Sequence, residues 1–391
     1  MAKPSLEAEQ PTYEIVGKVE RFDQRDHPNA RRALVPGTPE YEEYYSAHAE
    51  CKEWDDENRR LRATMTKRKG EKDPVNTQFR TAVFYGRYVL GLQSIVDGTV
   101  HLAKAPSDVP QRVDVDPDEM TRKIKAFAMY LGAAKVRITK LRQEWVYTNF
   151  AHPYTPEPYG KRVELDYENV ICMAFPQDMR MIKCGVGTAV ETEVGWKYAY
   201  GSLASVVLAQ FIRGTGWRAR ALPPENAPYL VVPTFVDAGI GEQGRCGHVV
   251  TKEFGNKFRP GAVATDMPLA IDKPVDFGLQ DFCEKCQICA DYCPSHAITH
   301  EGKEVIRGVR RWHLDSAKCR RYWDTIGSTC GICQAVCPWS HQNNLVHDTV
   351  RELAQSSPPL RKLLVQGEKI FYGKFKPAPQ PDWIKLKGTR N

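Results

Sequence analysis

Two cysteine quartets constrain this chain more tightly than any other feature. Residues 282–294 read FCEKCQICADYCP, so Cys283, Cys286, Cys289 and Cys293 follow C-x2-C-x2-C-x3-C-P, the spacing with which bacterial ferredoxins ligate iron–sulfur clusters. Cys319, Cys330, Cys333 and Cys337 repeat the C-x2-C-x3-C-P ending after a longer first gap. Three thiolates a few residues apart wrap one corner of a cubane, and the turn before proline sends the fourth to the other cluster. The expected wiring is therefore crossed. Cys283, Cys286, Cys289 and Cys337 hold one 4Fe–4S cluster, and Cys293, Cys319, Cys330 and Cys333 hold the second. Structural zinc would use paired C-x2-C knuckles rather than prolyl-terminated quartets, and disulfides belong with a secretory signal that is not seen here. Of the 12 cysteines, Cys51, Cys172, Cys184 and Cys246 remain, each isolated and expected to be an ordinary buried thiol.

Two clusters relay electrons but offer no substrate pocket, so the chemistry must lie elsewhere in the 391 residues. A content of 42% hydrophobic and 26% charged residues excludes a fibre or a disordered chain and leaves room for one large or two to three smaller packed units. Fifty-five Lys and Arg against 48 Asp and Glu give a net charge of +7, compatible with an acidic partner such as nucleic acid or an anionic electron carrier. The densest basic stretch, residues 59–72, carries no interleaved aromatics. It reads as a solvated face or loop, and no nucleic-acid partner is expected. The N-terminus shows no basic segment followed by an apolar one, and the apolar windows at 203–212 and 229–236 fall short of the roughly 20 residues of a membrane span. The chain as given reads as soluble and cytoplasmic, or as membrane-associated on the outer face if an export signal was removed.

Residues 1–115 read as a covering segment in which Tyr41, Tyr44, Tyr45 and Trp54 could wrap a core. A helix begins at Asp116-Pro117-Asp118, with Ile124, Phe127, Ala128 and Leu131 at helical spacing and Gly132 at its end. Alternation over 134–139 and the apolar run Asn169–Phe175 predict strands. Leu203, Val206, Val207 and Phe211 predict the apolar stripe of a helix that stops at Gly214 and Gly216. YLVVPTFV is expected to be a strand leading into the glycine-dense loop AGIGEQGRCG, which lacks the pattern of a phosphate loop. Alternating elements between 116 and 275 favour an α+β or α/β layer structure. The organisation expected is thus 1–115 covering segment, 116–275 catalytic core, 276–345 ferredoxin-like domain and 346–391 C-terminal wrap.

The segment VDAGIGEQGRCGHVVTKEFGNKFRPGAVATDMPLAIDKPVDFGLQDFCEKCQICADYCPSHAI resembles the corrinoid-dependent reductive dehalogenases. So do CRRYWDTIGSTCGICQAVCPWSH and the N-terminal VERFDQRDHPNARRALVPGTPEYEEYYSAHAE. This resemblance implies an α+β fold, with a nitroreductase-like core holding base-off cobalamin and an appended domain with two 4Fe–4S clusters. It implies reductive dehalogenation of an organohalide, cobalt being reduced through the clusters. The family's catalytic tyrosine falls on Tyr200, with Tyr198 as competitor, its asparagine on Asn226 and its cation on Arg259, with Lys257 as alternative. Gly239, Gly241 and Gly244 of the Gly-rich loop are expected at the cofactor. A phenol with an ordinary pKa near 10 donates poorly unless a nearby cation stabilises its phenolate. The chain shows neither an export signal nor a fused reductase, so an external low-potential donor, a ferredoxin or flavodoxin, is expected, and a small membrane-anchor subunit fits the same family. Two other functions share the cluster motifs. One is epoxyqueuosine reductase, acting on tRNA, and the other is a non-enzymatic iron–sulfur electron-transfer protein.

Overall fold

The computed structural model of the chain describes residues 6–65, 112–151, 159–224 and 227–384, together with Ala82. The N-terminal region contributes strand β1 (Glu14–Ile15) and helices α1 (Pro28–Ala33), α2 (Pro39–Ala47) and α3 (Ala49–Met65). Tyr41, Tyr44 and Tyr45 are buried there around Leu34. Charged contacts tie this segment to residues far along the chain: Arg32 pairs with Asp324 (3.0 Å), and Arg321 pairs with Glu57 (3.0 Å) and lies over the Trp54 ring.

The middle region builds an antiparallel sheet. Helix α4 (Pro117–Tyr130) starts where Asp116 accepts the Glu119 N–H and Pro117 occupies the first turn, where a missing N–H costs nothing. Strands β2 (Lys135–Lys140) and β3 (Asn169–Pro176) follow, then the short α5 (Met179–Ile182), the long α6 (Thr188–Gly214), β4 (Ala219–Leu222) and helix α7 (Val231–Asp237). A small ladder pairs β5 (Glu242–Gln243) with β6 (Val249–Val250), and β7 (Phe258–Thr265) returns to the main sheet. The order is β2-β3-β7-β4, with every neighbouring pair antiparallel. Both faces are covered, which is why β3 reads as a continuous apolar run rather than an alternating one. On one face Ile171, Met173, Phe175 and Val263 meet Ile124 and Ala128 of α4 and Ala204, Leu208 and Ile212 of α6. On the other, Val170, Cys172, Ala174 and Ala262 meet Tyr229, Phe235, Val236 and Phe254. The architecture is α+β.

Three local expectations are corrected. YLVVPTFV is not a strand: Val231–Asp237 is helical, because Pro233 sits in the first turn, where its ring is tolerated, and Thr234 Oγ1 bonds the Leu230 carbonyl (2.9 Å). The stripe on α6 is also displaced. Leu203 and Phe211 are 44% and 40% exposed, while Ala204, Ser205, Leu208, Ala209 and Ile212 face the sheet, small side chains permitting the closer approach. Finally, residues 346–384 do not form a simple wrap. They carry two helices, and the irregular stretch after Gly373 leads into a short 3-10 helix, Asp382–Ile384.

The cluster-motif region carries α8 (Leu279–Cys286), α9 (Ile288–Asp291), the hairpin β8 (Glu304–Ile306) and β9 (Val309–Arg311), α10 (Ser316–Ile326) and α11 (Ile332–Ala335), and ends in α12 (Leu345–Ser356) and α13 (Arg361–Tyr372). β1 adds to this hairpin in the order β1-β9-β8, so the N-terminal segment is hydrogen-bonded into the region that carries the cysteines. Among the described residues no helix is long and apolar enough to cross a membrane.

Candidate functional site

The cysteines gather into two sets. Cys283, Cys286, Cys289 and Cys337 line a pocket of about 20 Å³ with Phe282 and Trp339. Cys293, Cys319, Cys330 and Cys333 line a second cavity of about 250 Å³. Each set thus takes three thiols from one motif and one from the other. Gln287, between Cys286 and Cys289, is left-handed (φ 55°) and turns the chain from α8 into α9. His296 (φ 52°) does the same shortly after Cys293.

Burial pushes the Cys286 and Cys319 thiols up to about 12 and Cys330 to about 11. Burial, followed by the other cysteines, also raises Cys289 and Cys333 well above the ordinary thiol value. Convergent thiols, most of them pushed up by burial, fit a group whose positive metal ions draw the protons off.

Several polar residues outside the cysteine motifs brace these pockets. The buried Glu242 carboxylate accepts the Phe277 N–H (2.8 Å), the Leu279 N–H (3.2 Å) and Gln280 Nε2 (2.9 Å), placing an anion at the start of α8, the helix that bears Cys283 and Cys286. Arg245, 2% exposed, donates from Nε to the Cys283 carbonyl (3.1 Å) and from Nη1 to the Thr299 (3.0 Å) and Glu301 (2.7 Å) carbonyls. Its guanidinium lies 4.2 Å from the Trp312 ring centre. Asn256 Nδ2 bonds the Cys246 sulfur (3.2 Å), while Gln334 Nε2 bonds the Asn256 carbonyl (2.6 Å). The motifs GEQGRCG and FGNKFRP therefore serve the cysteine region as scaffolding, a role their glycines concealed in the sequence. Cys246, expected to be incidental, lies among Cys289, Cys293 and Cys333.

The second cysteine set opens towards the region of the main sheet. Its cavity is also lined by Tyr198, His248, Arg259, Tyr322 and Trp323. A further cavity of about 530 Å³ shares Tyr198, Pro224, Val231 and Val232 with it, and is also lined by residues of the N-terminal segment between Phe22 and Ala30, by Trp145, Tyr147 and Tyr229, and by Arg307 and Arg311. Two glycines place Tyr198 there. A side chain on Gly201 would meet the Pro260 carbonyl oxygen at 2.6 Å, and one on Gly261 would meet the Gly201 oxygen at 2.8 Å, so α6 and β7 cross almost backbone to backbone. One turn before Gly201, Tyr198 comes to lie beside Arg259, two residues before Gly261. The guanidinium is 5.3 Å from the Tyr198 ring centre.

Two residues of this lining carry buried donors without partners among the described residues. Arg259 Nη1 bonds the Phe258 carbonyl (3.1 Å), but its buried Nε has no hydrogen-bond partner among the described residues, nor has Trp323 Nε1. Burial, then Arg259, lowers His248 to about 4, leaving a neutral imidazole in the wall. Orphaned donors, aromatic walls and a few hundred cubic ångströms fit a large planar cofactor edged with amides or carboxylates.

Other expected site residues lie elsewhere. Tyr200 packs on the helix-covered face of the sheet, its ring 5.6 Å from Phe175 and 6.0 Å from Trp196, and lines neither cavity. Side chains on Gly239 and Gly241 would collide with the Lys273 and Val250 carbonyls. These glycines therefore allow close backbone packing, and neither lines the cavities. Gly244 borders the first cysteine pocket. Lys257, buried beside Asn256, lines neither cavity. Asn226 lies outside the described residues.

Residues 282–341 match the 4Fe-4S dicluster domain family. The tetrachloroethene reductive dehalogenase of Sulfurospirillum multivorans is 31% identical over 307 residues, covering 70% of this chain and 60% of that protein. The chain therefore spans less than two thirds of the length of that relative. The epoxyqueuosine reductase of Lactococcus garvieae is 30% identical over 145 residues, 35% of this chain and 40% of that protein. Among solved structures, the catabolic reductive dehalogenase NpRdhA in complex with 3-bromo-4-hydroxybenzoic acid superposes with a TM-score of 0.73 over 93% of this chain and 48% of that one, at 23% identity. The fold is shared over nearly the whole chain.

Proposed function

Because the chain belongs to the reductive dehalogenase family, we propose that it replaces the carbon–halogen bond of an organohalide by carbon–hydrogen. A base-off corrinoid reduced through the two 4Fe–4S clusters would supply the electrons that break that bond. The observation that carries the reading is the cavity in which a cysteine quartet, Tyr198 and Arg259 share one wall. Residues 116–275 then form the catalytic core and 276–345 the electron relay.

Arg259 Nε and Trp323 Nε1, both without partners, would hold the cofactor's polar rim. Tyr198 donates its phenolic proton to the carbon that loses halide, and the Arg259 guanidinium stabilises the phenolate left behind. His248, neutral near pH 7, is not a proton source there. Tyr322 is less suited: burial, then Cys330 and Cys293, pushes its phenol up. The aromatic wall of Trp145, Tyr147 and Tyr229 excludes water and orients an apolar or aromatic halide. A tRNA substrate is disfavoured because the epoxyqueuosine reductase similarity covers only about a third of the chain.

The test is anaerobic reconstitution with iron, sulfide and cobalamin, followed by halide release from a panel of organohalides. Halide release is expected from the wild-type protein. Tyr198→Phe should lower turnover at least about a hundredfold, the scale of a lost general acid, with iron and corrinoid content unchanged. Undiminished turnover by that variant would sink the assignment.

A further inference from the structure

The second cysteine set opens onto the cavity where chemistry is proposed, whereas the first does not, so electrons supplied from outside should arrive at the first. The surface nearest it is distinctive. A cavity of about 720 Å³ is floored by Ile288, Tyr292, Ala335 and Val336, which sit beside Cys286, Cys289, Cys293 and Cys337 in sequence. Ile288, Tyr292 and Val336 pack in one apolar cluster with Cys286, Cys289 and Cys337.

The rim is basic. Lys183, Lys369, Lys374 and Lys376 line it against Asp291 and Glu368. Both acids are engaged, Asp291 with Lys369 (3.0 Å) and His300 (2.9 Å), and Glu368 with His341 (2.7 Å). The exposed Lys183, Lys374 and Lys376 ammonium groups have no partner among the described residues. Beside them α13 presents Ile370 and Phe371, 78% and 87% exposed. An apolar floor next to a metal site, ringed by uncompensated cations, is complementary to one class of partner.

Building on the proposed function, we infer that this face docks an acidic, low-potential one-electron carrier protein, which delivers electrons to the first cluster. The lysines steer the encounter, and Phe371 and the floor residues supply the contact.

The experiment is stopped-flow bleaching of the clusters in the reconstituted full chain, with a reduced 2Fe–2S ferredoxin of net negative charge in one arm and reduced methyl viologen in the other. In wild type the ferredoxin rate should fall steeply with salt. Lys374→Glu combined with Lys376→Glu should slow ferredoxin reduction about tenfold or more at low salt and flatten the salt dependence. Lys374→Arg with Lys376→Arg should keep the wild-type rate, and viologen should reduce all three proteins equally. A ferredoxin rate that ignores the charge reversal, or an equal loss in the viologen arm, would overturn the docking face. Loss of the proposed function itself would look different: a reconstituted protein without corrinoid or halide release.

Discussion

Tyr198 and Tyr200 stand two residues apart on a helix, so their side chains point about 200° apart and only one can face the cavity. Sequence comparison of KYAYGSLAS cannot choose between them, because either tyrosine fits a family position. The close contact of Gly201 with β7 turns one face of α6 to the sheet and leaves Tyr198 beside Arg259, and on that geometry Tyr198 is the proposed donor. Tyr200→Phe is therefore expected to keep kcat within about twofold of wild type, a change well under 1 kcal/mol, whereas Tyr198→Phe should lose kcat with little change in KM. Steady-state halide release by both variants checks this, and a kcat loss confined to Tyr200→Phe would reverse the assignment. Arg259, singled out through its motif, lines the cavity beside Tyr198. Gly239 and Gly241 were misread because a glycine required by a carbonyl looks the same, in sequence, as one required by a cofactor.

At the scale of elements, legibility followed locality. Helix α4 was readable because its cap, proline and apolar spacing lie within fifteen residues, and β3 because a strand buried on both faces leaves an uninterrupted apolar run. Helix α6 was located, but its buried face was not, since bulk hydrophobicity pointed to Leu203 and Phe211 while small residues decided the packing. Helices α12 and α13 were missed. Asn344, whose side chain accepts the His347 N–H (2.9 Å), was the available signal. The α6–β7 crossing gives a direct test. Gly201→Ala must push the helix from the Pro260 carbonyl and should cost about 1–3 kcal/mol, as overpacked cores do, whereas Leu203→Ala on the exposed face should stay within about 0.5 kcal/mol. Thermal unfolding of the two variants compares them, and equal midpoints would refute the crossing as the tight contact.

For the whole molecule, the interleaving of the cysteines matters most. Each pocket depends on both motifs, which stand on opposite sides of the β8–β9 hairpin, so closing one pocket fixes the chain needed for the other. Cys337→Ser is expected to damage the first cluster and to spare the second, although Cys337 belongs to the second motif. About half the iron should be lost, with the spectroscopic signal of the cluster farther from cobalt disappearing. Loss of the nearer signal would mean that each motif fills its own pocket. This crossing was legible in the sequence because it follows from a few residues of spacing. The cavity was not, since its walls come from residues as far apart as Phe22, Trp145, Tyr198, Tyr229 and Arg307, which only the tertiary fold assembles.

The N-terminal segment gives that cavity a temporal property. Residues between Phe22 and Ala30 form part of its wall, and the segment is anchored on both sides. Arg21 bonds the Val146 carbonyl (2.9 Å) and the Tyr147 carbonyl (2.6 Å), while Asp26 pairs with Arg307 (3.0 Å) and Arg32 with Asp324 (3.0 Å). Weakening either anchor should loosen that wall, so the exchange of a bulky occupant could be tuned through residues that are not proposed to touch a reacting atom.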